Sequence, residues 1–216
     1  MKPLKPTINK KLQITIVTVA ILVGGYFYLS SGPAFNLSDR SSSSDENSSH
    51  IVSEALAAKF DYLSKNGNSA CSASFKDSIA SMPNDARLRG SCCSPMNVHR
   101  YSEQVEGLEK FKSALRPLDE LGASKIPDDP YDIKAGLAKE LMSYYDLELT
   151  PEEQAAYDYA MLNSSEKGPC CCKCWRWYVY GGLGKYLIKN HGFTGEQLTE
   201  LWNLSDGCGG DEEHHH

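Results

Sequence analysis

Apolar positions recur at three- and four-residue steps through most of the chain from residue 51 onward, the period of an α-helix. In 51–63 the residues Ile51, Leu56, Ala57, Phe60 and Leu63 share one helical face. A short helix is predicted over 75–82. A longer one over 98–115 carries Val98, Tyr101, Val105, Leu108, Phe111 and Leu115, with Pro117 just beyond. The run 131–145 is amphipathic too. Thr150, Pro151 and Glu153 form a capping box with proline at the first helical position, which opens the helix EEQAAYDYAML. The segment 175–189 reads as a helix despite three glycines. Thr194 and Gln197 form a second capping box before EQLTELWNL, and Gly207 and Gly209 stop that helix. No alternating strand pattern and no internal repeat is visible. The expected fold is therefore all-α, a compact multi-helix domain over 51–210 of about six or seven helices, large enough to bury a core. Trp175, Trp177, Tyr178 and Trp202 are expected in that core.

The pattern changes before residue 51. Residues 12–29, LQITIVTVAILVGGYFYL, run 18 positions without a charge behind Lys10 and Lys11. As a helix they would span about 27 Å, close to the ~30 Å hydrocarbon core. Tyr26 and Tyr28 fall near an interface, and the preceding lysines favour a cytoplasmic tail at 1–11. The segment reads as a transmembrane anchor, with a cleaved signal segment as the rival. SSGPAFN offers no clean small-x-small cleavage site. No cysteine follows closely enough for a lipid anchor. Residues 30–50 form a Ser-rich linker whose polar composition gives little to bury. Residues 211–216 are an acidic/His tail that reads as a tag remnant. The folded part is thereby expected outside the cytoplasm, on a single-pass, membrane-anchored chain.

Composition sharpens the picture. Of 216 residues, 41% are hydrophobic and 23% charged, which excludes wholesale disorder and a multi-span membrane protein. The four charges in the first 35 residues are all positive, so the remainder, with 18 basic and 28 acidic side chains, carries a net charge of −10. That balance argues against nucleic acid as a partner and suits cations.

The eight cysteines carry the chemistry. They fall at Cys71; at Cys92 and Cys93; at Cys170, Cys171, Cys172 and Cys174; and at Cys208. An extracytoplasmic domain often pairs its cysteines. Adjacent cysteines, however, close almost no loop and staple poorly. Three in a row with a fourth two residues on concentrate thiolates, which is what a soft metal needs. Gly168 and Pro169 make the turn that presents them. Met96 and His99 follow the second pair, three residues apart, and complete a soft-to-borderline ligand set. The expected metal ligands are Cys92, Cys93, Cys170, Cys171, Cys172, Cys174, Met96, His99 and Cys208. Met96 has a competing reading as a core residue, and His99 as an ordinary helix-start histidine. Cys71 and Cys208 either bridge to each other or lend one ligand each. His191 reads as a helix-end residue. Lys173 and Arg176 either offset thiolate charge or sit as solvated surface residues.

Thiolate-rich sites select Cu(I), Zn(II) or Hg(II). The spacing is that of no standard zinc finger, which needs two separated cysteine or histidine pairs. Cu(I) tolerates two or three sulfurs and methionine, so it is preferred over Hg(II) and Zn(II). The Pro169-Cys170-Cys171-Cys172-Lys173-Cys174 stretch resembles the Pro-Cys motif of the PCYCGC-motif lipoproteins, within the wider group of membrane-attached, cysteine-rich prokaryotic metal-binding proteins. The chain departs from them by reading Pro-Cys-Cys-Cys-Lys-Cys and by lacking a lipid-attachment cysteine. The resemblance covers under a tenth of the chain. It implies metal handling and assigns no catalytic residue. The resulting expectation is a tethered, non-enzymatic metal-binding protein that sequesters, transfers or senses its ion, with a metal donor or acceptor protein as partner. The alternatives are a thiol–disulfide oxidoreductase, an enzyme acting on a metal-bound substrate, and a disulfide-stapled interaction domain.

Overall fold

Side-chain caps set where the helices begin. The computed structural model describes residues 45–208, with side chains from residue 54 onward. The tail at 1–11, the segment 12–29, most of the linker 30–50 and the tail 211–216 lie outside the described residues. No helix among the described residues is long and apolar enough to cross a membrane. Contacts group the described residues from 47 onward as one unit.

Within it the order is α1 (Asp45–Lys65), α2 (Ala73–Ile79), β1 (Arg87–Arg89), α3 (Val98–Leu115), α4 (Glu120–Lys125), β2 (Asp132–Lys134), α5 (Ala135–Ser143), α6 (Pro151–Asn163), α7 (Trp175–His191) and α8 (Gly195–Ser205). The domain is mostly helical, as the periodicity predicts. Asn97 caps α3 by accepting from the backbone N–H of His99 and Arg100 at 2.9 and 3.1 Å. Thr150 with Glu153, and Thr194 with Gln197, make the two capping boxes that open α6 and α8. Gly192, at φ +65°, ends α7 in the left-handed conformation that glycine adopts without strain.

Helix α7 is the centre of the core. Trp175, Val179, Tyr180, Leu183 and Leu187 are all sealed from solvent. It packs on α5, α6 and α8, and α8 in turn rests on α3 and α6. The glycines of α7 permit this. A Cβ on Gly182 would lie 2.0 Å from the Leu141 carbonyl oxygen, so α5 and α7 approach backbone to backbone only because that atom is missing. Trp202 of α8 donates its indole N–H to the Tyr180 carbonyl at 3.1 Å, which satisfies a fully buried polar group.

The two-stranded ribbon is the departure from the expected all-helical pattern. β1 and β2 pair antiparallel with Leu88 opposite Ile133. The strands are three residues long, too short for a readable alternation. Side chains pin them: Arg87 donates to Asp132 at 2.7 Å, and Asn68 donates to the Arg87 carbonyl while accepting from the Arg89 N–H. The run expected as one helix over 131–145 therefore starts as β2 and turns helical at Ala135. α4, capped by Asp119, is a further element with no prior signal. The ribbon directs the chain out through Gly90 toward Cys92.

Candidate metal centre

Four separate loops bring cysteines to one place. Cys71 lies between α1 and α2, Cys92 and Cys93 between β1 and α3, Cys170 to Cys174 between α6 and α7, and Cys208 just after α8. Local chemistry shapes each approach. Before the cysteine run, Lys167 at φ +52° and Gly168 at φ +156° reverse the chain. The Ser164 hydroxyl accepts from the Gly168 N–H at 2.8 Å. A Cβ on Gly168 would meet the Trp177 ring at 2.7 Å, so the loop folds flat against the start of α7. At Gly90, φ +75°, a Cβ would meet the Gly67 Cα at 2.9 Å. The Cys208 carbonyl accepts from the backbone N–H of Cys93 and Ser94 at 3.3 and 2.9 Å, which ties the last loop to the second. Asp206 fixes that last loop. Its carboxylate accepts from the Arg100 guanidinium at 2.8 Å and from the Cys208 N–H at 3.1 Å, and its carbonyl accepts from Gln104 at 2.6 Å.

The eight sulfurs form one connected network. Cys71 Sγ lies 2.8 Å from Cys172 Sγ, although the two residues are 101 positions apart. Cys93 Sγ lies 3.6 Å from Cys172, 3.8 Å from Cys171 and 3.7 Å from Cys92. Cys174 lies 3.8 Å from both Cys92 and Cys170. Cys208 sits 2.8 Å from Cys170 and 2.9 Å from Cys171. All eight are free. Two thiolates on one tetrahedral ion at ~2.3 Å are about 3.8 Å apart, the separation found along most of the network. Four triples bring three ligand sulfurs within 4.8 Å of one another: Cys71, Cys93 and Cys172; Cys92, Cys170 and Cys208; Cys93, Cys171 and Cys208; and Cys170, Cys171 and Cys172. Among the described residues, these groups contain no histidine and no carboxylate.

The cluster has a floor and a rim. Cys170, Cys174 and Cys208 are buried, whereas Cys71, Cys93 and Cys171 are exposed. The thiols do not share one acidity. Hydrogen bonding, first from Cys170, holds Cys92 and Cys171 well below the usual thiol range and brings Cys172 down to about 6. Burial pushes Cys71 up to about 11 and raises Cys93 further. Cys170 is raised, first by its hydrogen bonds with Cys171 and Cys172.

Arg176 lies at the floor and is wholly buried. It donates to the Gly90 carbonyl at 2.7 Å and to the Pro130 carbonyl, and it stacks over the Trp175 ring at 4.5 Å. Its Nε has no partner, and among the described residues no carboxylate pairs with it. A Cβ on Gly207 would fall 2.2 Å from its Nη1, so the Cys208 loop crosses the guanidinium only as glycine. The surface reading of Arg176 is therefore replaced by a buried cation. Lys173 is exposed, with its ammonium 5.7 Å from the Trp177 ring centroid.

Of the nine expected ligands, the seven cysteines come together. Met96 packs with Leu56, Phe60 and Val105 against Leu63, Tyr101 and Tyr131. His99 is exposed and belongs to none of the convergent groups. Cys71, left open as a bridge or a ligand, joins the rim, and its nearest sulfur is Cys172 rather than Cys208. His191 ends α7 and pairs with Asp119 at 2.7 Å, away from the cluster. No family model, curated protein or solved structure matches this chain.

Proposed function

We propose that this chain is a membrane-tethered, extracytoplasmic protein that binds a soft metal through clustered thiolates, Cu(I) before Hg(II) or Zn(II), and holds it or hands it on. The observation that carries the reading is the convergence of eight free thiols from four loops into one network that, among the described residues, includes no histidine and no carboxylate. An all-sulfur donor set favours soft ions. The likeness of the 169–174 stretch to PCYCGC-motif lipoproteins points the same way. The location rests on the 12–29 segment and its flanking lysines. The exposed Cys71, Cys93 and Cys171 favour a metal donor or acceptor protein as partner, because an incoming thiolate can replace a rim ligand without the buried floor opening.

The test is paired metal analysis and thiol counting on the full chain, reduced and reconstituted without oxygen. The expected result is bound copper with the thiols shielded from alkylation until a chelator is added. Failure to take up Cu(I), Hg(II) or Zn(II), with the cysteines recovered as disulfides, would overturn the proposal. The second reading, a thiol–disulfide oxidoreductase, is favoured by one feature: Cys71 with Cys172, and Cys208 with Cys170 and Cys171, lie at 2.8–2.9 Å, closer than two ligands of one ion. It predicts catalytic turnover of a disulfide substrate by the metal-free protein, which the metal-binding reading does not.

A further inference from the structure

The four ligand triples are not four separate sites. Cys93 belongs to the first and third, Cys172 to the first and fourth, Cys208 to the second and third, Cys170 to the second and fourth, and Cys171 to the third and fourth. Only Cys71 and Cys92 belong to one triple each. If each triple is taken as the three-sulfur shell of one ion, with the pairs at 2.8–2.9 Å opening to ligand spacing as the ion enters, every ion is linked to a neighbour through a shared sulfur. Five cysteines bridge and two are terminal, with Cys174 alongside Cys92 and Cys170 as a reserve ligand. This is the connectivity of a polynuclear thiolate cluster.

Charge selects the ion. Arg176 places a permanent positive charge at the floor with no carboxylate to balance it. An unbalanced buried cation is costly unless something negative lies beside it. Four divalent ions on the seven cysteines of the triples would leave one net positive charge, the wrong sign. Four monovalent ions leave three negative charges, which the guanidinium offsets in part.

We infer that the cysteines hold a cluster of four Cu(I) ions, each in a three-sulfur shell, with Cys93, Cys170, Cys171, Cys172 and Cys208 bridging and Cys71 and Cys92 terminal. The inference rests on the thiolate metal-binding reading above. Each of the seven cysteines loses its one thiol proton to solvent as it binds, the five bridging sulfurs then making a bond to each of two ions, and copper stays Cu(I) throughout. Ions that share ligands fill together, because the first ion orders and deprotonates sulfurs that the next one needs. Cys71, exposed and terminal, marks the side where copper enters and leaves.

The experiment is native mass spectrometry of the reduced full chain, titrated with Cu(I) under anaerobic conditions. The expected result is saturation at four ions, with metal-free and four-ion species coexisting at low ratios. Saturation at three or four ions with one-step filling upholds sharing, whereas the same number reached through independent stepwise loading overturns it, because eight sulfurs can hold four two-coordinate Cu(I) ions without sharing any. Saturation at one or two ions overturns the cluster and leaves simple metal binding standing, while no binding at all overturns both. Two variants add a readout that does not depend on the saturation number. Cys71→Ser removes a ligand of one ion and should lose at most one copper while still filling in one step. Cys171→Ser removes a bridge between two ions and should spread loading into stepwise species. Identical behaviour of the two variants contradicts the assigned connectivity.

Discussion

Replacing Arg176 with methionine separates the charge of the buried guanidinium from its packing. In the metal-free protein the change removes hydrogen bonds to the Gly90 and Pro130 carbonyls, each worth about 1.5–3 kcal/mol when the donor is charged. It also removes the desolvation cost of a buried cation, which is several kcal/mol and of opposite sign. The two largely offset, so the metal-free melting temperature should move only modestly. The filled cluster behaves differently, because its net negative charge then lacks the neighbouring cation. A pair of unit charges ~8 Å apart at an effective dielectric of ~20 contributes about 2 kcal/mol. For a domain of this size that corresponds to about 4–8 °C. The rise in melting temperature on copper loading should therefore be smaller by at least that amount in Arg176→Met than in the wild type. Arg176→Lys keeps the charge and loses part of the hydrogen-bond fork, so it should lower both melts while preserving most of the copper-induced rise. Anaerobic calorimetry on the three proteins, with and without Cu(I), reads all of this. An undiminished copper-induced rise in Arg176→Met would refute the counter-ion argument.

Other substitutions probe neighbouring parts of the account. Gly207→Ala drives a methyl into the Arg176 guanidinium and should displace the Cys208 loop. Copper affinity should fall at least tenfold with the helical circular dichroism unchanged, and wild-type affinity would contradict the close crossing. Gly182→Ala forces α5 away from α7 and should cost about 1–3 kcal/mol or more in chemical denaturation, as overpacking does; a neutral result would show that the helices are not in backbone contact. Glu140 is held below its ordinary pKa, first by the hydrogen bond from Lys125. A carboxylate depressed in the folded state adds stability above its unfolded pKa of about 4.5, and that stability is lost as pH falls through the lower folded value. Glu140→Gln should flatten the acid limb of the stability curve below about pH 4.5 and leave its slope near neutrality unchanged. An acid limb identical to the wild type would remove the Lys125 pair from the account.

The helices were readable where their signals are local. Both capping boxes and the span of α3 are carried by residues three or four positions apart. The ribbon was not readable, because three-residue strands carry no period and are held by Asn68 and Asp132, far away in sequence. The same contrast runs through the site. The concentration of cysteines at 170–174 announces thiolate chemistry by itself. That Cys71 reaches Cys172 depends on how α1 and α2 pack, which no local pattern encodes. Met96 shows the converse: its spacing from His99 fits a ligand pair, yet the apolar surface of Tyr101 and Tyr131 takes it up. Arg176 follows Cys174 and Trp175 on a helix whose other inward positions are apolar, and its position in that run is the sequence signal of a buried cation.

X-ray absorption at the metal edge of the copper-loaded full chain tests the central claim most directly. The account predicts a shell made only of sulfur at about 2.3 Å, with short copper–copper distances from shared thiolates. A shell containing nitrogen or oxygen ligands, or a protein that remains free of metal, would contradict it.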